Sequence, residues 1–246
     1  MKSVKTAVQN RIDTTQLFLP GEPGRGEVAR QKLLAAALEL FGERGLEGAS
    51  VRDIARAAGQ NVAAIAYYFG GKEQLYQALL RGILRLMHGR LADVYGEIEA
   101  FRRQKRPAPP EAGRLLREFL KNVYLRLLSQ NEAVPIGRLL VREQLNPTPG
   151  FEILYDTGFG PLHEALCFLL GVWLGRDPAE KEIIVRTHAL MGQVYFFMMT
   201  REAILRRLRW RTLEGPNSQW VAGILAEQID LLLSGLAQKL NSPLRS

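Results

Sequence analysis

The sequence predicts an all-α protein of two units, a three-helix helix-turn-helix unit followed by a helical bundle. Three observations carry this expectation. Apolar residues recur with the 3.6-residue period of a helix from Val28 to Leu240. The interruptions fall at glycine, proline and asparagine, the residues that end helices. No stretch shows convincing two-residue alternation, a hairpin turn or an internal repeat, so no sheet is expected.

Residues 1–26 are polar, end in P-G-E-P-G-R-G and read as a flexible extension, either a plain tail or a basic arm carrying Arg25. From Val28 to Arg44 a stripe of Leu33, Leu34, Ala37, Leu38 and Phe41 predicts a first helix stopped at Gly45. Ser50 is placed to cap a second helix, and Asp53 in its first turn complements the positive end of the dipole. Val51, Ile54, Ala55 and Ala58 share one face of that helix, and Gly59 ends it, because a left-handed residue costs glycine almost nothing. Asn61 then caps a very short third helix. There Val62, Ile65 and Phe69 make a stripe expected to be buried, which turns Gln60, Ala63, Ala64, Tyr67 and Tyr68 outward or toward the flanks. A helix of eight or nine residues does not stand alone. Held by its neighbours with one face free, it can enter a major groove. Gly70-Gly71-Lys72-Glu73 opens a long helix expected to run to about Phe101, with Lys72 among the free amides of its first turn, a phosphate clamp.

Several spaced motifs now coincide. Leu40-Phe41 to Gly45, the run S-V-R-D-I-A-R-A-A-G from Ser50 to Gly59, Tyr67 to Phe69, and Lys72 to Leu75 together resemble the DNA-binding domain of the TetR family of one-component bacterial regulators. The stretch N-V-A-A-I-A-Y-Y-F-G-G-K-E, with P-T-P-G-F at 147–151 and T-H-A-L-M-G-Q-V-Y-F-F at 187–197, resembles its CecR-like branch. The resemblance implies a DNA-binding unit at 27–75 and an effector-binding and dimerisation unit at 76–246. It puts Gln60, Asn61, Val62, Ala63, Ala64, Tyr67 and Tyr68 at DNA, with Ser50, Arg52 and Lys72 at phosphates or groove edges. The chain departs from the family pattern at Gln60-Asn61 and at Ala64-Ile65-Ala66. Ala63 and Ala64 offer only apolar contact, for instance to thymine methyls.

Beyond the basic, breaker-rich run R-R-Q-K-R-P-A-P-P at 102–110, five amphipathic segments are expected at about 111–130, 132–145, 149–174, 178–209 and 217–240. The last two carry more apolar surface than one small domain buries, which points to a partner subunit. Met191, Met198, Trp220, Ile224, Leu232 and Leu236 are the expected interface, since the resemblance implies a four-helix dimer interface from the equivalent pair. Two recognition helices would then read a palindromic site in promoter DNA. Polar groups set among these helices, Arg138, Arg142, Glu143, His163, His188, Gln193 and Tyr195, are the candidate contacts for a small-molecule effector. Each of them also fits an internal ion pair, a satisfied core histidine or plain surface.

Composition is consistent with this. Lys and Arg number 33 against 25 Asp and Glu, a net charge of +8, and residues 1–90 hold 13 against 8 of these, so the excess leans toward the DNA end. The one cysteine, Cys167, lies in an apolar run and cannot form an internal disulfide, which fits a reducing cytoplasm. Neither a signal peptide nor an uninterrupted apolar stretch of membrane-spanning length is read. His88, His163, His188 and Cys167 lack metal-ligand spacing, and no nucleophile-elbow, dinucleotide or P-loop motif occurs, so neither an enzyme nor a cofactor is expected. The expected function is a ligand-responsive, homodimeric transcription regulator, a repressor in the first instance. The competing reading is an all-helical binding or scaffolding protein touching nucleic acid weakly and without sequence preference.

Overall fold

The computed structural model describes residues 25–131 and 133–241, and these form twelve α-helices with no strand among them. Up to residue 24 the expected extension lies outside the described residues. α1 (Arg25–Gly48) begins two residues before the expected boundary and is kinked at Gly45, whose φ of 75° only glycine adopts freely. α2 (Val51–Ala57) and α3 (Val62–Phe69) follow, each started by a side-chain cap: Ser50 Oγ accepts from Asp53 N at 3.1 Å, and Asn61 Oδ1 from Ala63 N at 2.9 Å. Gly59 and Gly70 stop them in the left-handed region.

The long helix expected from Gly71 to Phe101 is in fact two. α4 (Lys72–Arg90) and α5 (Ala92–Arg102) meet at Leu91, which is buried and non-helical. The bend is held by α6 (Pro109–Val123) and its π-helical continuation Tyr124–Leu128: Arg126 donates to Arg90 O and pairs with Asp93, while Arg90 donates to Arg126 O. α7 (Ala133–Leu145) comes next. α8 (Gly150–Leu154), a π-helical turn (Tyr155–Phe159) and α9 (Gly160–Leu174) make one continuous rod. The expected segment 178–209 is also divided, into α10 (Lys181–Met199) and α11 (Arg201–Leu208), because Thr200 leaves the helical region and its hydroxyl donates to Phe196 O. α12 (Pro216–Asn241) is the last helix among the described residues.

Two cores result. The larger joins α5, α6, α9, α10 and α12 around Phe101, Phe119, Leu166 and Ile229. The smaller holds α1 to α4, and it includes Ile136, Leu139 and Leu140 of α7 and Leu154 of α8. The DNA-type unit therefore packs directly on the walls of the second domain. By length and composition alone, Gly150–Leu174 and Pro216–Lys239 could cross a membrane. Their apolar residues are used differently here: Leu162, Leu166, Leu169 and Leu170 fill the core, and α12 lays Val221, Leu225, Ile229 and Leu233 inward.

Candidate DNA-reading surface and effector cavity

α3 is seated on a single fully buried residue, Ile65, with Phe69 half-buried beneath the Arg30 guanidinium. Val62 does not join the stripe: it is exposed, because α3 starts clear of α1 and its first turn projects from the unit. With Asn61, Ala63 and Tyr67 it forms one open face, and Tyr67, at 82% exposure, is the most prominent large side chain on it. Tyr68 is half-buried, edge-on to Tyr67 at 4.9 Å and against Gly26 at the start of α1. Ala64 and Gln60 are likewise half-buried at its margin. Arg52 is exposed at the start of α2, and Lys72 opens α4 behind Gly70 and Gly71. Ser50 is engaged locally, its hydroxyl also donating to Asp53 Oδ2 at 2.8 Å, so it serves as a cap first. This arrangement presents the exposed first turn of a short helix from a three-helix unit, with Arg52 and Lys72 in the first turns of the neighbouring helices, the layout that fits a major groove.

On the other side of α7 lies a cavity of about 1050 Å³ walled by α7, the α8–α9 rod and α10. Its lining is mainly apolar and aromatic: Leu140, Val141, Phe151, Tyr155, Phe159, Phe168, Met191, Tyr195 and Met198. His163, His188 and Cys167 gather on one wall, with the imidazole centroids 5.9 Å apart and Cys167 Sγ 3.4 Å from His163 Nδ1. Burial, and then the neighbouring His188, push the His163 pKa down, so this imidazole tends to stay neutral. Burial pushes the Cys167 thiol and the Tyr195 phenol up. A second chamber of about 460 Å³ shares Arg102, Leu140, Phe159 and Tyr195 with the first and is walled by Leu84, Met87 and His88 of α4. Among the described residues no group of three or more His, Cys, Asp or Glu is disposed to hold a metal ion.

Of the expected effector contacts, His163, His188 and Tyr195 line this cavity, and Arg138, Arg142, Glu143 and Gln193 do not. Arg138 is exposed on the α7 face toward α1, and Gln193 is half-buried outside the chamber's lining. Arg142 reaches across to α1, donating to Glu43 O at 2.8 Å and Gly42 O at 3.4 Å. Glu143 is buried and accepts from the Tyr76 hydroxyl of α4 and from Thr148 Oγ1 at 2.9 Å and N at 3.2 Å. Burial, then this carboxylate, raise the Tyr76 pKa and keep the phenol a donor. These two residues tie the cavity's wall to the DNA-type unit. Sequence reasoning missed Phe151, Tyr155 and Phe159. Their signal was a four-residue spacing continued by His163 and Cys167, which the π-helical turn keeps along one face of the rod.

The interface candidates also divide. Trp220, Ile224 and Leu232 are exposed on α12, and Leu236 is half-buried. Met191 and Met198 turn inward to the cavity, Met198 packing on Gly137, while Val185 and Ala189 are the exposed apolar α10 residues outside its lining.

Family models match two parts of the chain: residues 33–79 match the bacterial regulatory proteins of the tetR family, and residues 112–236 match the C-terminal domain of the HTH-type transcriptional dual regulator CecR. Over 215 residues the chain is 35% identical to the HTH-type transcriptional dual regulator CecR of Shigella flexneri, covering 87% of this chain and 96% of that one. The chain belongs to the TetR family, in its CecR-like branch. A TetR-family member of this kind is a DNA-binding transcription regulator and not an enzyme. The transcriptional repressor KstR2 of Mycobacterium tuberculosis is 38% identical over 71 residues, 29% of this chain and 36% of its own. Among solved structures, the hemolysin II regulator HlyIIR aligns with a TM-score of 0.55 at 24% identity, covering 86% of this chain and 98% of that one. AibR in complex with isovaleryl coenzyme A and operator DNA aligns at 0.56 with 16% identity, covering 81% and 97%. Both share the all-helical fold.

Proposed function

We propose that this TetR-family protein is a homodimeric repressor that binds a palindromic promoter site through α3 and releases it when an apolar small molecule fills the cavity. The observation that carries this reading is the direct seating of the DNA-type unit on the cavity's own walls. α7 and the α8–α9 rod face the chamber on one side and α1 and α4 on the other. A ligand entering the two chambers presses on Leu84 and Met87 of α4 while the Arg142 and Glu143 links hold α7 to α1 and α4. A ligand that fits only one placement of α4 supplies the coupling energy. The mainly apolar lining, with a few polar groups gathered at His163 and His188, suits an aromatic or aliphatic molecule of drug size. AibR, solved with both a coenzyme A thioester and operator DNA, supports the view that this architecture joins a ligand to DNA.

Dimerisation is supported by the exposed apolar residues Val185 on α10 and Trp220, Ile224, Leu231 and Leu232 on α12. In the dimer two copies of α3 lie on one side and read symmetric half-sites. The work of such a regulator is done in the bacterial cytoplasm. Sedimentation velocity with DNase footprinting on DNA upstream of the protein's own gene tests the reading. The expected result is two chains per particle and two symmetric protected half-sites; a monomer, or protection without symmetry, overturns it.

A further inference from the structure

The stretch Arg206-Arg207-Leu208-Arg209-Trp210-Arg211 holds four arginines in six residues and no acid. All four are exposed, and none has a charged or hydrogen-bonding side-chain partner among the described residues. Several half-buried arginines of this domain are paired, Arg114 with Glu97 and Glu111, Arg117 with Asp230, Arg126 with Asp93, Arg176 with Glu180 and Arg186 with Glu182, whereas exposed Arg103, Arg106 and Arg138, like these four, have no such pair among the described residues. Arg206 and Arg207 complement the carboxyl end of α11. Arg209 and Arg211 lie beyond the helix, where the dipole gives them nothing to do.

The segment is held in place at both ends. Arg201 is buried and donates to Leu128 O, Ser129 O and Asn131 Oδ1, while Glu214 accepts from Asn131 N and Nδ2. Between them Trp210 packs half-buried on the larger core and Leu213 is fully buried. Arg209 takes the left-handed conformation, φ 56°, that turns Trp210 inward and leaves its neighbours outward. The anchoring corner, 128–131, leads into α7, whose Pro135 and Arg138 meet Gly42 of α1. The arginines therefore stand on the end of the second domain nearest the DNA-type unit. They also link α10 to α12, so in a dimer built on those helices they border the two-fold axis.

We infer that Arg206, Arg207, Arg209 and Arg211 form a second DNA contact, binding the phosphate backbone between the two half-sites. Eight guanidinium groups brought toward one axis with no intervening acid repel one another unless a polyanion lies between them, and the DNA segment spanning the half-sites supplies it. The contact adds affinity and salt dependence without base readout. It rests on the dimeric, site-specific reading above, and the test separates the two.

Hydroxyl-radical footprinting and salt titration are carried out on the full chain and on the variant Arg206→Gln/Arg207→Gln/Arg209→Gln/Arg211→Gln, with the four Arg→Lys changes as charge rescue. The parent is expected to protect the central backbone as well as both half-sites. In the Gln variant central protection disappears, half-site protection stays, and the slope of log affinity against log salt falls by about 0.9 for each phosphate no longer neutralised. The Lys variant keeps the slope. If the Gln variant does not fold, Arg207→Gln and Arg211→Gln singly carry the measurement, with the slope reduced by about 2 for each residue engaged in both protomers. An unchanged slope with intact half-sites overturns the inference and leaves the regulator reading standing. No half-site protection in the parent removes both.

Discussion

Replacing Tyr76 with phenylalanine deletes one hydroxyl and leaves the ring, which packs edge-on to Phe41 at 4.9 Å, in place. The hydroxyl donates to Glu143, a carboxylate only 1% exposed, whose other donors are Thr148 N and Oγ1. A buried hydrogen bond to a charged group contributes roughly 1.5–3 kcal/mol, and leaving the carboxylate one partner short costs in the same range. Because two donors remain, the expected loss for Tyr76→Phe is about 2 kcal/mol, measured by urea unfolding at pH 7. Glu143→Gln keeps the shape and removes the charge, so the double variant should show a coupling of about 1 kcal/mol or more with Tyr76→Phe. The same bond joins α4 to α7, and Tyr76→Phe should therefore also weaken the effect of a bound ligand on DNA affinity. A change below about 0.5 kcal/mol, additive with Glu143→Gln, would refute the reasoning, since effects of that size belong to surface positions.

Gly150→Ala should destabilise by about 1–3 kcal/mol, because its Cβ would stand 2.6 Å from Leu80 Cδ1 and 2.8 Å from the Tyr76 ring; calorimetry checks it. His163 has a pKa held below that of the unfolded chain, so below about pH 6.5 the unfolded state binds the extra proton and stability falls as pH drops toward the folded value. The melting temperature should fall over that window, and His163→Gln should flatten part of the decline. Arg209→Gly should raise stability by about 1 kcal/mol in urea unfolding, since glycine adopts φ 56° without the strain that a Cβ brings.

Local chemistry makes the reading unit legible from the sequence. The caps at Ser50 and Asn61 and the glycine stop at Gly59 depend on residues within a few positions, and each occurs where the sequence puts it. The kink at Leu91 is not legible, because Arg126 sets it across 36 residues; the break at Thr200 is local, its hydroxyl on Phe196 O, but a single threonine in an apolar run carries no stop signal of the glycine or proline kind. Arg142 and Glu143 sit beside apolar residues much as ligand contacts would. One helical step decides otherwise: Val141, Gln144 and Leu145 look into the cavity, while Arg142 and Glu143 look at α1 and α4. Met191 and Met198 depart from the expected interface for a related reason, since a helix apolar on several sides does not say which side meets a partner.

The central claim is that α3 reads DNA sequence, and fluorescence-anisotropy titration across a range of salt tests it most directly. The protein is titrated against a duplex from upstream of its own gene and against a scrambled duplex of equal length, with Tyr67→Ala and Lys72→Ala alongside. Binding to the upstream duplex is expected to be roughly a thousandfold or more tighter than to the scrambled one. Tyr67→Ala should erode that ratio, and Lys72→Ala should weaken both duplexes alike with a shallower salt slope. Equal, salt-sensitive binding to both duplexes, unaltered by Tyr67→Ala, would contradict the claim.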